Sequence, residues 1–221
     1  MHILLVAATP FEIAPTLAWL EKKFQQPSEG IFKQGELVVQ TLVTGVGSTA
    51  TAFQLGAFFA KNRANWAINA GIAGSFDPEI GIGTVLQVIS ERFGDLGVEE
   101  ADGRFTDVAE LGFSSLSVLK NPQTSIPQLP VCQGITVNKV HGSAVSIQKI
   151  LEKYPDVQVE SMEGAAFFYA CLAAEVPFVE IRSISNRVEP RNRDAWNLPL
   201  AIQQLNEYLI KMLASLEESG T

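Results

Sequence analysis

Three acidic residues and one amide stand where they could do chemistry on a small polar molecule. Glu12 follows the apolar run ILLVAA, within ATPFEIAP. A carboxylate just beyond a buried strand can take a proton from water if it lines a cleft; the plainer reading is a first-turn Glu that complements a helix dipole. Glu160 and Glu163 lie in VESMEGAAFF, residues 159–168, among small and apolar neighbours. Such a carboxylate is costly unless hydrogen-bonded, and two sugar hydroxyls, each a donor, would satisfy it. The plainer reading there is an acid-rich helix start. Asn186 closes the apolar stretch PFVEIRSIS, residues 177–185, and Arg187, Glu189, Arg191, Arg193, Asp194 and Trp196 follow closely.

Two glycine-bearing segments could bring backbone against a ligand. In TGVG, residues 44–47, glycines would let N–H groups approach an anion. Position 50 is Ala, so the third glycine of a dinucleotide fingerprint is missing and the segment reads as a tight strand-to-helix turn. In NAGIAGSF, residues 69–76, Ala73, Gly74 and their small neighbours leave room for a flat ligand; a helix-packing turn is the other reading.

The elements that must position these residues follow from patterning. A continuous apolar run at 3–8 reads as a buried strand, and 36–43, 66–70, 83–95, 133–138, 157–160 and 177–185 also read as strands. Between them, 11–24, 48–62 and 143–154 read as helices, 157–175 as a short strand, a turn and an apolar helix, and a long helix closes the chain within 192–218. The first should turn Phe11, Leu17, Leu20 and Phe24 to one side; the second offers Phe53, Phe58 and Phe59 for packing. The region 66–76 reads as a short strand running into a glycine loop, and 97–130 resists assignment. Alternating strands and helices imply an α/β domain whose ligand sits beyond the carboxyl ends of the strands.

With 221 residues and 47% hydrophobic content, one sizeable core and a single domain over 1–221 are expected. A net charge of −8 argues against a nucleic-acid surface. The first apolar run is short and lacks a basic leader, so it reads as a strand rather than a signal peptide, and no run is long enough for a membrane span. Two cysteines, Cys132 and Cys171, suit the reducing cytoplasm; two histidines and no C-x-x-C give little support to a metal.

The order Glu12, NAGIAGSF, VESMEGAA, RSISN resembles the nucleoside phosphorylase and nucleosidase superfamily, especially the nucleosidases that cleave methylthioadenosine and S-adenosylhomocysteine. The likeness runs from residue 1 to about 213, and its most specific part is Met162-Glu163 followed by Ile-Ser-Asn. It implies a single-domain phosphorylase-type fold, a central mixed, mostly parallel sheet flanked by helices. It also implies roles. Glu12 would activate water, Glu163 beside Met162 would grip the ribose hydroxyls, and Ala73, Gly74, Val140 and His141 would flank the purine. No organic cofactor or metal is implied, and homodimers or larger assemblies are usual.

Two positions depart from the nucleosidases: Asn186 replaces an Asp, and Ile72 a Ser. Adenine protonated at N7 shows two donors on that edge, matched by a carboxylate. A 6-oxopurine shows N7–H and the acceptor O6, matched by an amide. The swap therefore selects hypoxanthine or guanine, by about 10–100-fold if a mismatched buried pair costs about 1–3 kcal/mol. The segments ERFGDLGVEE, 91–100, and SISNRVEPRNRDAWNLPLAI, 183–202, independently resemble futalosine hydrolases, which release hypoxanthine in menaquinone biosynthesis. Water rather than phosphate is the expected nucleophile, since residues 1–60 hold no arginine and Glu12 would repel a dianion. Arg104, Arg187 and Arg191 are the candidates to meet the carboxylate at the 5′ end of futalosine; the plainer reading of each is a surface arginine pairing Glu189 or Asp194. A methylthioadenosine nucleosidase, a purine nucleoside phosphorylase and a non-catalytic nucleoside sensor are the competing readings.

Overall fold

The computed structural model describes residues 1–113, 117–121, 126 and 129–218. The chain opens with β1 (His2–Ala7), buried on both faces from Ile3 onward, so it must lie inside a sheet with cover on each side. Pro10 starts α1 (Pro10–Lys23), where its missing N–H costs nothing. A meander of β2 (Gln25–Ser28), β3 (Ile31–Gln34) and β4 (Leu37–Val43) returns the chain alongside β1. The pattern did not suggest β2 and β3: β2 is exposed throughout and contains Pro27, as suits an edge strand. Next come α2 (Ser48–Phe59), β5 (Trp66–Ser75) and β6 (Val85–Glu91).

Within 97–130 the described residues form a small hairpin, β7 (Gly97–Glu99) and β8 (Phe105–Asp107), and β9 (Leu119–Lys120) against β6. The rest of that stretch, 114–116, 122–125 and 127–128, lies outside the described residues. The chain continues with β10 (Val131–Thr136), α3 (Ala144–Lys153), β11 (Val159–Ser161), α4 (Gly164–Ala173), β12 (Phe178–Arg187) and α5 (Leu198–Glu218).

The strands β4, β1, β5 and β12 pair in parallel; antiparallel pairing enters where β12 meets β6 and at the β2–β3–β4 edge. The expected mixed α/β sheet is thus parallel at its centre. β11 pairs with β10 on one side and with β5 on the other, so β5, β12, β6, β10 and β11 close into a ring. Helices α1 and α5 cover one face over Ile3, Leu5, Ile68 and Ile181; α2 and α4 cover the other over Leu4, Val6, Ala67 and Phe178. Phe167, Phe168 and Phe178 pack edge to face there, with centroids 4.7–6.4 Å apart.

Three expectations change. The core face of α1 is Ile13, Thr16 and Leu20, while Phe11 is 79% exposed; Glu12 takes an inward position in its place. Phe53 of α2 is 71% exposed, so Phe58 rather than Phe53 anchors that helix. The glycine loop after residue 70 is strand: β5 runs ten residues to Ser75, because its small residues let β11 and β12 approach from both sides.

Candidate active site

Gly74 is where the sequence segments meet. It lies opposite Glu160 of β11 and opposite Asn186 of β12. A Cβ here would come within 2.9 Å of Val188 Cγ2 and 3.1 Å of Asn186 Nδ2, so glycine is what admits these side chains. A cleft of about 390 Å³ opens beside it, beyond the carboxyl ends of β1, β5 and β12. Glu12, Ala73, Gly74, Val140, His141, Met162, Glu163 and Asn186 all line this cleft. Phe11, Val46, Ile72, Trp196 and Leu198 add apolar wall.

Glu12 caps the first turn of α1 and also lines the cleft. Its Oε2 accepts from Thr9 N–H at 2.9 Å and Thr9 Oγ1 at 3.0 Å, the carboxylate half of a capping box. Its Oε1 accepts from Ile72 N–H at 3.2 Å, which turns it toward the cleft. Buried Asn206 of α5 holds the same turn, donating to the Glu12 carbonyl at 2.8 Å and accepting from Thr16 N–H and Oγ1. The base candidate is thus fixed by two helices and one strand.

Glu163 sits at the start of α4 and accepts from Gly47 N–H at 2.9 Å. The segment 44–47 is the expected turn from β4 to α2, and one of its N–H groups serves a side chain of the same protein. Burial raises the Glu163 carboxyl above its ordinary value, against the pull of Arg182 and the Gly47 N–H. Glu160 serves a different partner: His141 N–H and Nδ1 reach it at 3.1 and 2.7 Å.

Asn186 owes its direction to an irregularity. In the register with β5, Ile184 faces Ala73 and Asn186 faces Gly74, so Ser185 is an extra residue, a β-bulge. The bulge puts Asn186 on the sheet face opposite Ile184, two residues away, where unbroken pleating would align them. Asn186 Nδ2 donates to the Arg187 carbonyl at 2.8 Å, which fixes the amide orientation since a carbonyl cannot donate. Oδ1 meets Ser185 Oγ at 2.8 Å. One N–H and one lone pair remain for a ligand.

The arginines separate. Arg104 lies on the β7–β8 hairpin beside Asp102 and does not line the cleft. Arg187 lines it but donates to the Pro78 carbonyl at 3.0 Å. Arg191 lines it with its guanidinium 5.1 Å over the Trp196 ring. A fourth, Arg182, the first residue of RSISN, is buried behind Glu12, a charge inside the apolar strand VEIRSIS. Among the described residues no group of three or more His, Cys, Asp or Glu could hold a metal ion.

The profile of the phosphorylase superfamily matches residues 2–214. The chain belongs to the phosphorylase superfamily. Among relatives of this superfamily member, a futalosine hydrolase of Acidothermus cellulolyticus is 30% identical, over 99% of this chain and 93% of that protein. A futalosine hydrolase of Streptomyces coelicolor is 32% identical, over 68% of this chain and 66% of its own length. The superfamily fold is equally plain in three dimensions: the structure of futalosine hydrolase from Helicobacter pylori superposes with a TM-score of 0.75 at 18% identity, covering 97% of this chain and 98% of that one.

Proposed function

We propose that this protein hydrolyses the N-glycosidic bond of futalosine, releasing hypoxanthine and dehypoxanthine futalosine, a step of menaquinone biosynthesis. The observation that carries the reading is the Asn186 amide, held on the bulge with one donor and one acceptor to spare. That pair complements N7–H and O6 of a departing 6-oxopurine. The futalosine hydrolases among the relatives agree with it.

In the proposed reaction Glu12 takes a proton from water as the water oxygen bonds to the anomeric carbon. N7 takes a proton from solvent water as the bond to purine N9 breaks, so the bond electrons leave with a neutral base whose N7–H donates to the Asn186 carbonyl. Glu163 accepts from the ribose hydroxyls and stabilises the oxocarbenium-like state by its charge. Met162 packs on the sugar; Ala73, Gly74, Val140 and His141 border the base. Arg191, stacked on Trp196, receives the 5′ carboxylate, since Arg187 is tied to a carbonyl and Arg104 stands off the cleft.

The reading extends to a single-domain cytoplasmic protein acting on a small nucleoside, with neither metal nor organic cofactor, as a homodimer or larger assembly. Exposed Phe53 and Tyr169 on α2 and α4 support an interface, and Cys132 and Cys171, both free, support a reducing compartment. No helix among the described residues is long and apolar enough to cross a membrane.

The test is turnover of futalosine, inosine and methylthioadenosine, with mass detection of the released base and without phosphate. Futalosine should be cleaved best. A preference for methylthioadenosine of about tenfold or more, the scale of one mismatched polar pair, would refute the reading. Arg191→Ala should raise KM for futalosine and leave that for inosine unchanged.

A further inference from the structure

Behind the candidate base lies a charged cluster that the reaction drawn above does not use. Arg182, Glu180 and Glu91 are at most 1% exposed. Glu180 and Arg182 alternate on one face of β12, opposite Asn69 and Gly71 of β5. The guanidinium stands between two sets of carboxylates. In front, a Cβ on Gly71 would sit 2.8 Å from Glu12 Oε1 and 3.0 Å from Arg182 Nη1, so base and guanidinium meet over that glycine. Behind, Nη2 is 3.0 Å from Glu180 Oε1, and Nη1 donates to Asn69 Oδ1 at 3.2 Å.

Glu91, at the end of β6, closes the rear. Its Oε2 accepts from Thr136 Oγ1 at 2.9 Å, while its Oε1 and both Glu180 oxygens lack a directed hydrogen bond. Glu91 Oε1 and Glu180 Oε1 converge on Gly164, the first residue of α4, where a Cβ would collide with both. Two carboxylates so placed do not both ionise. Burial first, and Glu180 second, push the Glu91 carboxyl well above its ordinary range, so Glu91 is the neutral member. Burial also lifts Glu180, against Arg182 and with Glu163, to about 7. The other titratable groups facing this cluster are Glu12, Glu163 and Cys132, whose thiol burial pushes up.

We propose that Glu180 is a positioning residue for hydrolysis: its carboxylate draws the Arg182 guanidinium back from Glu12, so that the cation orients the base without quenching it. The proposal rests on Glu12 as the base and not on which purine leaves. Ionised Glu180 shares the guanidinium charge and leaves Glu12 free to take the water proton. With a neutral residue at 180 the guanidinium loses its Glu180 ion pair and is free to move over Gly71 toward Glu12, where it competes with water for that carboxylate. The loss then falls on kcat and spares KM.

The experiment compares wild type, Glu180→Gln and Glu91→Gln for kcat and KM between about pH 5 and about pH 9, with thermal melting in the same buffers. Wild-type kcat should rise through a step at about 7. Glu180→Gln should melt no lower than wild type at the alkaline end, keep KM within about twofold, lose the step, and fall about tenfold or more in kcat. Glu91→Gln copies the neutral form and should keep both step and rate. A folded Glu180→Gln with wild-type kcat and an unmoved step would overturn the proposal. If that variant does not fold, Glu180→Asp decides: its shorter carboxylate pulls less on Arg182, so unchanged kcat and step there would overturn it too. The assay uses whichever nucleoside turns over, so a preference for methylthioadenosine would sink the substrate reading and leave this test standing.

Discussion

Glu12 is held by three donors and still faces the cleft, which separates its structural work from its proposed chemistry. Glu12→Gln keeps the shape and can still accept from Thr9, but a neutral amide does not take a proton from water. Turnover should fall by about 10²–10⁴, the usual worth of a positioned base, while hypoxanthine binding measured by calorimetry persists. Full activity would remove Glu12 from water activation. Asn186→Asp keeps the acceptor and loses the donor. The ratio of kcat/KM for methylthioadenosine over inosine should rise by about 10–100-fold. An unchanged ratio would refute the edge-matching argument.

The next scale is that of strand ends. β5 reaches past β1 by several residues, and its last third is gripped by β11 and β12. Only there can one glycine see both Glu160 and Asn186. Gly74→Ala brings a methyl against Val188 and Asn186 and should cost about 1–3 kcal/mol as overpacking. Because Val188 must shift and Asn186 must yield beside it, kcat/KM should fall by at least about tenfold even at temperatures where the variant is folded. Circular dichroism and a kinetic assay on one sample separate the two effects; wild-type kcat/KM would show that the amide need not stand where it does.

At the scale of the whole molecule, charge burial sets the pH response. Burial raises Glu91, Glu163 and Glu180 above their unfolded values, Glu180 to about 7. Over the interval between the two values the folded state holds protons that the unfolded chain has released, so stability falls as pH rises. That contribution is intact below the ordinary carboxylate range and is spent for Glu180 above about 7. Asp107 and Glu110 run the other way: Asp107 overcomes slight burial through the Glu110 and Ala109 N–H groups, Glu110 is lowered by Lys153, and both lose their contribution in acid. The melting temperature should therefore be highest near about pH 5 and decline toward about pH 8. A melting temperature that climbs over that interval would contradict the burial of these carboxylates.

Local pattern alone determined much of this protein. Strand patterns marked β1, β5, β6, β10, β11 and β12, and polar residues just beyond three of them marked Glu12, Glu163 and Asn186, because a parallel sheet is buried on both faces and opens only at its strand ends. Tertiary contact decided the rest. Helical spacing could not choose between Phe11 and Glu12 for the inward place, since that depends on the Ile72 N–H and the Asn206 clamp from distant segments. The bulge at Ser185 leaves no mark in composition, yet it sets which face Asn186 serves. The Arg182 cluster draws on β12, β6 and α1, strands and a helix that only folding brings together. Residue type and period are written along the chain; which buried charge meets which partner is a property of register, and register is fixed only when the sheet closes.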